Sequence, residues 1–410
     1  MARESLAAGA SNKIRAGGIT VLTMVAMAHA VNHAYVALMP ILFPVMMADL
    51  RFGYSQVGLL AGVTRAFGQG FQWLAGYLAR TVRRKVLIGV GSILQGITLA
   101  FSGLAVGFTD LLGWQSLNKF FGNAQHPNGN SLILDYFGKE HRGRVLSVHY
   151  SGGNAGTVLV PVVGALLLTA FGWRMTLVAF ALPGIVIGLL MLWLVNEEQE
   201  NGDAIEVKEK PTFRRETLGL LKNRNFRLVM SAQATAGGGR GLSIVTTFVP
   251  LYLTQHLGLS TINMGLLITL MMVGSVVGPM FAGFLSDRIG TRRPLLITTY
   301  LASTVATLTL IHLGHHPWLL PVILFVIGVV VYAEAPILQS LALDTTEGAS
   351  PDALFGLYYT FGFISAAIWS VIMGAIVDAF GFFPAFYIMA FSYAQAATWI
   401  WRLRLARQTA

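Results

Sequence analysis

Three cations stand where this chain should tolerate none. Arg65, Lys119 and Arg240 each fall inside a hydrophobic stretch long enough to cross a bilayer. A charge near mid-membrane costs about 2.5–3.5 kcal/mol on insertion scales. A cation kept at that cost needs a carboxylate, a carbonyl, or an anion admitted along a polar path. Glu334 is the one acid plainly in mid-span. The excess of positive charge implies that the path accepts a negative species.

The spacing of their neighbours sharpens this. Arg65, Gln69 and Gln72 follow i, i+4, i+7 and share one helical face, as do Lys119, Asn123 and His126. Pro127 removes a backbone donor and favours a kink beside that face. On the first apolar stretch, His29 and His33 are one turn apart and share a face, with Asn32 and Tyr35 beside them. They read as a substrate or proton site, or as hydrogen-bonded packing. Two histidines one turn apart can also chelate. No carboxylate accompanies them on that stretch, so neither a metal nor any other cofactor is expected. His149 and Asn154 either extend this network or bridge helices. His33 and His126 are reserve proton carriers.

A second group lies later in the chain. Three glycines precede Arg240 in GGGRG (237–241), and they weaken regular helix. The alternatives there are a bend that forms a binding site and close packing through small residues. Tyr332, Glu334 and Gln339 surround a kink expected at Pro336. Glu334 can pair with Arg240, carry a coupling proton, or do both in turn. Tyr358 and Tyr359 add hydroxyls, with one of the two expected to face neighbours or lipid.

The elements that must position these groups are membrane spans. Of 410 residues, 55% are hydrophobic and 11% charged, and the mean hydropathy is +0.65. A soluble domain carries roughly 25% charged residues, so too little charge is present to cover a soluble surface. Cysteine is absent, which excludes disulfides and thiol chemistry. The first apolar run is too long for a cleavable signal peptide. No P-loop and no catalytic arrangement is present, so no enzyme is expected.

A span needs about 20 mostly apolar residues. Twelve are expected, near 18–46, 54–79, 85–107, 110–134, 144–170, 174–195, 228–253, 260–286, 293–313, 317–343, 353–379 and 382–401. The fourth is the most polar. With both termini in the cytoplasm, all but five of the 28 Lys+Arg fall on cytoplasmic ends and loops. The exceptions are Arg51, Arg174 and the three buried cations. That asymmetry is the positive-inside pattern, and it accounts for the net charge of +10 without nucleic acid. The longest polar segment divides the chain into a six-helix bundle over 1–196, a cytoplasmic linker over 197–223 and a second six-helix bundle over 224–410. GYLARTVRRKVL (76–87) and GFLSDRIGTRRPLL (283–296) echo each other after the second and eighth spans. Internal repeats of this kind are a transporter architecture.

Here the residues resemble the major facilitator superfamily. Gly283, Asp287, Arg288, Gly290, Arg292 and Arg293 match its loop motif between spans eight and nine, and the earlier loop is a degraded copy. LNKFFGNAQHP (117–127) and SGGNAGTVLVPVVG (151–164) resemble its span-four and span-five motifs. HAVNHAYVALMPILFP (29–44), FFGNAQHPNGNSLILDYF (120–137), HRGRVLSVHYSGGNAG (141–156) and GWR (172–174) resemble the fosmidomycin-resistance branch of efflux carriers. The resemblance implies an all-α polytopic fold, with twelve transmembrane helices in two pseudosymmetric bundles. It implies a proton-coupled secondary carrier, working by alternating access from the plasma (inner) membrane as a monomer. The expected cargo is a small organic anion or anionic drug, moved outward. An anion importer of the same fold is the alternative, with a metal transporter or a membrane sensor behind it. The expected substrate-binding residues are His29, Asn32, His33, Tyr35, Arg65, Gln69, Lys119, Asn123, His126, Arg240, Tyr332, Tyr358 and Tyr359. Glu334, His126 and His33 are expected to carry protons, and Asp287, Arg288 and Arg292 to gate.

Overall fold

Lipid offers backbone amides no partner, so a chain that crosses it closes its hydrogen bonds within helices. The computed structural model describes residues 15–137, 141–197, 218–346 and 351–404, and their regular structure is entirely helical. Most of the linker, 198–217, lies outside the described residues, whereas 218–222 is helical.

The first half contains α1 (Gly18–Leu50), α2 (Tyr54–Gly70), α3 (Gln72–Leu78) and α4 (Arg84–Ser102). It continues with α5 (Phe108–Phe121), α6 (Gln125–Tyr136), α7 (Arg142–Val158) and α8 (Val160–Leu194). The second half contains α9 (Arg224–Ala236), α10 (Thr246–Leu251), α11 (Thr261–Ile289) and α12 (Arg292–Leu313). It ends with α13 (Leu320–Asp344), α14 (Pro351–Phe380) and α15 (Phe382–Trp401). These elements follow the twelve expected spans. Seven helices among the described residues qualify as spans by length and apolarity alone. Breaks at Phe71, at Gly122–Ala124 and at Gly237–Gly241 shorten the helices of the second, fourth and seventh spans.

Gly172 separates the fifth span from the sixth inside α8, with φ 75° and ψ 169°, a backbone that side-chain-bearing residues avoid. The turn has a purpose. Trp173 Nε1 and Arg174 Nη1 both donate to Asp49 Oδ2, at 2.9 and 2.5 Å, and Arg174 lies 4.2 Å over the Trp173 ring. Gly-Trp-Arg is therefore a clip that fastens the end of α1.

The chain forms two compact units, one of residues 1–51 and 63–206 and one of 52–62 and 207–410. In the first, α4 packs along α8, and α1 packs against α7 and α8. In the second, α11 packs along α13, and α12 against α15 and α13. The third span thus packs on the sixth, and the ninth on the twelfth, as a repeat requires. Small residues permit close approach: a Cβ on Gly188 would lie 2.5 Å from Gly89 O. Charges repeat as well. Arg84, opening α4, pairs with Asp135 at the end of α6, and Arg292, opening α12, pairs with Asp344 at the end of α13. Glu197 adds to the first pair, accepting from Arg84 Nε at 3.2 Å and from Lys85 N at 2.8 Å. The segment 52–62 belongs to the second unit, where Asp378 accepts from the backbone amides of Tyr54 and Ser55 at 2.9 and 2.6 Å.

Candidate functional site

The first unit gathers the histidines. His29 is 1% exposed and its ring lies against the bare α-carbon of Gly153, where a Cβ would stand 2.7 Å from Cε1. Its Nδ1 is 3.2 Å from the carbonyl oxygen of His149, which only accepts, so Nδ1 carries the proton. In a neutral ring the lone pair is then on Nε2, and this atom lies 3.0 Å from His33 Nε2. His126 and His149 complete the group, with ring centroids 4.9 and 4.3 Å from that of His29. The ligand nitrogens available from His29, His33 and His126 all lie within 4.8 Å of one another. This triad is the one arrangement among the described residues suited to holding a metal.

Lys119 adjoins the group. It lies in the last turn of α5, its ammonium is buried, and Nζ has no hydrogen-bond partner. Arg65 and His33 are charged or ionisable groups close enough to act on it. Gly68, one turn beyond Arg65, lies close to Lys119: a Cβ there would meet Lys119 Cβ at 3.4 Å. Asn123 is 6% exposed and its Oδ1 likewise lacks a partner. The unit thus holds a cation pair beside four imidazoles, with the Lys119 ammonium buried and without a hydrogen-bond partner.

The other expected residues of this unit are committed elsewhere. Asn32 Nδ2 donates to Gly122 O at 3.0 Å and to Gln95 Oε1 at 3.4 Å, holding the break in the fourth span. Tyr35 turns toward α8 and donates to Ala181 O at 3.3 Å. Gln69 accepts from Gln72 Nε2 at 2.7 Å, across the break at Phe71. The side chain of Asn154 lies outside the described residues.

The second unit is organised by the break in the seventh span. A break frees carbonyls, and buried carbonyls need donors. Ser365 and Trp369 of α14 both donate to Ala234 O at 2.8 Å, and Tyr332 donates to Gly241 O at 3.1 Å. Tyr393 donates to Gly239 O, and a Cβ on Gly239 would overlap its ring. The glycine run therefore serves close packing as well as bending. Tyr332 belongs to this scaffold.

Arg240 emerges at the break with an extended backbone. Nη1 donates to Gly362 O at 3.4 Å and Nη2 to Gln233 O at 3.2 Å, while Nε has no partner. Glu334 is 4% exposed and its Oε2 also lacks a partner. Arg240 and the Tyr300 hydroxyl are the groups that face it, the hydroxyl without reaching hydrogen-bond geometry. Tyr358 is 4% exposed and faces the same pair. Tyr359 is 42% exposed, among Phe355 and Phe363. Gln233 was missed in the sequence, although it lies seven residues before Arg240, a spacing that would share a face in an unbroken helix. Tyr300 and Tyr393 carry no local signal, because the fold brings them in from distant spans. Of the residues expected to gate, Arg292 pairs with Asp344, Arg288 is exposed, and the Asp287 side chain lies outside the described residues.

These features define a multi-pass membrane protein whose buried polar groups lie within helix bundles. The chain belongs to the Major Facilitator Superfamily, whose profile matches residues 22–261 and 229–409. It is 23% identical over 385 residues to a probable hexose phosphate transport protein of Chlamydia pneumoniae, covering 86% of this chain and 84% of that one. It is 21% identical to the membrane sensor protein UhpC of Escherichia coli, over 85% and 84% of the two chains. It is 26% identical to the multidrug resistance protein MdtG of Citrobacter koseri, over 86% of each. The D-xylose-proton symporter shares the fold, with a TM-score of 0.76 at 15% identity, over 95% of this chain and 99% of that one. Its relatives are transport-family proteins and not enzymes.

Proposed function

We propose that this chain is a secondary carrier that moves a small organic anion by alternating access, coupled to protons, in the export direction. One observation carries the reading: Lys119 Nζ is buried without a hydrogen-bond partner, near a second cation, Arg65. A buried charge with no partner is destabilising, and an anionic cargo supplies the partner. Arg65 and Lys119 are its ligands in the first unit, with Asn123 and the histidines beside them. In the second unit, taken by itself, Arg240 and Tyr358 are anion-binding candidates beside Glu334, the proton carrier. The relatives named for hexose phosphate fit an anionic cargo. Export rests on the resemblance to the fosmidomycin-resistance branch, and the likeness to a multidrug resistance protein is in keeping with it. The carrier works in the plasma (inner) membrane with both termini cytoplasmic.

A second reading, a membrane sensor, is favoured by the likeness to UhpC. Everted vesicles under an imposed pH gradient separate the readings. Export predicts saturable, gradient-driven accumulation of a labelled organic anion. An importer loses anion under the same gradient, and a sensor binds without flux.

A further inference from the structure

We propose that His29, His33 and His126 form a binding site for a divalent transition-metal ion of the zinc, cobalt or nickel class. Imidazole nitrogen suits these ions, and the oxygen ligands that calcium and magnesium require are absent from the set. The geometry is close to what such an ion needs. Two nitrogens bound to one zinc at about 2.0–2.1 Å in a tetrahedral site stand roughly 3.3 Å apart. The Nε2 atoms of His29 and His33 are 3.0 Å apart, and the full triad lies within 4.8 Å. On binding, the His126 side chain would move to close the remainder.

The surroundings orient the ligands as metal sites do. A ligating histidine typically donates its other ring N–H to a carbonyl or carboxylate. His29 does so through Nδ1 to the backbone of His149, which directs the bare Nε2 at His33. Gly153 leaves the space in which the His29 ring lies, and the His149 ring stacks on its other side at 4.3 Å. The three rings come from α1 and α6, so the fold and not one helix makes the site.

Charge sets the fourth ligand. Three neutral imidazoles leave the ion its two positive charges, and Lys119 faces His33. An anion in the open position balances both. This last step rests on the anion reading above: the cargo would bridge the metal and the Lys119–Arg65 pair.

The test uses purified full-length protein, with any affinity tag removed and His315→Ala/His316→Ala as the background, because those adjacent histidines chelate independently. Titration with Co²⁺ alone, read by visible d–d absorption, and with Zn²⁺ alone, read by competition with a chromophoric chelator, measures the site. One ion per chain with a tetrahedral Co²⁺ spectrum is expected. His33→Ala and His126→Gln should each weaken binding by more than the roughly 10–100-fold typical of losing a supporting residue. Gly153→Ala should weaken it within that range, by displacing the His29 ring. Lys119→Gln should leave binding of the metal alone intact or tighter, which keeps this result separate from loss of anion binding. An absence of stoichiometric binding, or binding unaltered in both His33→Ala and His126→Gln, would overturn the site.

Discussion

Glu334 and Arg240 face each other in the second unit without forming an ion pair. The guanidinium bonds instead to the carbonyls of Gly362 and Gln233, which leaves one carboxylate oxygen of Glu334 and Nε of Arg240 unsatisfied. Two opposite charges held close but unpaired can exchange partners cheaply. On the proposed reading, a proton on Glu334 would release the field it exerts on Arg240, and an anion would then take its place.

Glu334→Gln, which mimics the protonated acid, should abolish proton-driven accumulation and leave counterflow of the cargo measurable. Arg240→Ala should instead lose anion binding. Both are read in proteoliposomes with and without a pH gradient. A purely structural pair would show the same fault in both variants: lower thermal stability and lower yield.

Lys119→Met should weaken anion binding by about 10-fold or more, the value of one charge-assisted hydrogen bond of roughly 1.5–3 kcal/mol. Its melting temperature should hold or rise, because an unpartnered buried charge is removed and the volume is kept. A large fall in stability with unchanged binding would assign Lys119 to the scaffold.

Asp344→Asn should free Arg292 at the start of α12 and shift the balance of conformers, as should Asp287→Asn near the end of α11. Accessibility labelling of single cysteines, on a chain that has none of its own, reads the shift. An unchanged conformer ratio in both variants would remove gating from these residues.

Asp49→Asn should lower the melting temperature only slightly, since the Arg174 pair is half-exposed and screened, although Trp173 also loses a charged acceptor. Thermal unfolding in detergent measures it. A large fall in melting temperature would mean that the clip holds more than the end of α1.

Much of the fold was legible because membrane spans announce themselves by length and apolarity, and basic loops punctuate them. The breaks were legible too, at Gly237–Gly239 and near Pro127, since glycine and proline act locally. Side-chain commitment was less so. Tyr35, Asn32 and Tyr332 look like site residues in sequence, yet each hydrogen bonds to a carbonyl on another helix. Spacing on one helix identifies a face, but which neighbour that face meets is decided by packing between spans far apart in sequence. The same limit hid the meeting of His126 with His29 and His33: the pair on α1 was visible, its third member was not.

The most direct measurement of the central claim is binding by the purified protein of matched organic anions and cations, read as a thermal shift. A ligand that binds only the folded state raises its apparent stability. Anions of the phosphate-ester or phosphonate type should raise the melting temperature saturably; Arg240→Ala should abolish the shift, and Lys119→Met should move it to an anion concentration about 10-fold or more higher. Saturable stabilisation by lipophilic cations, with none by any anion, would contradict the account.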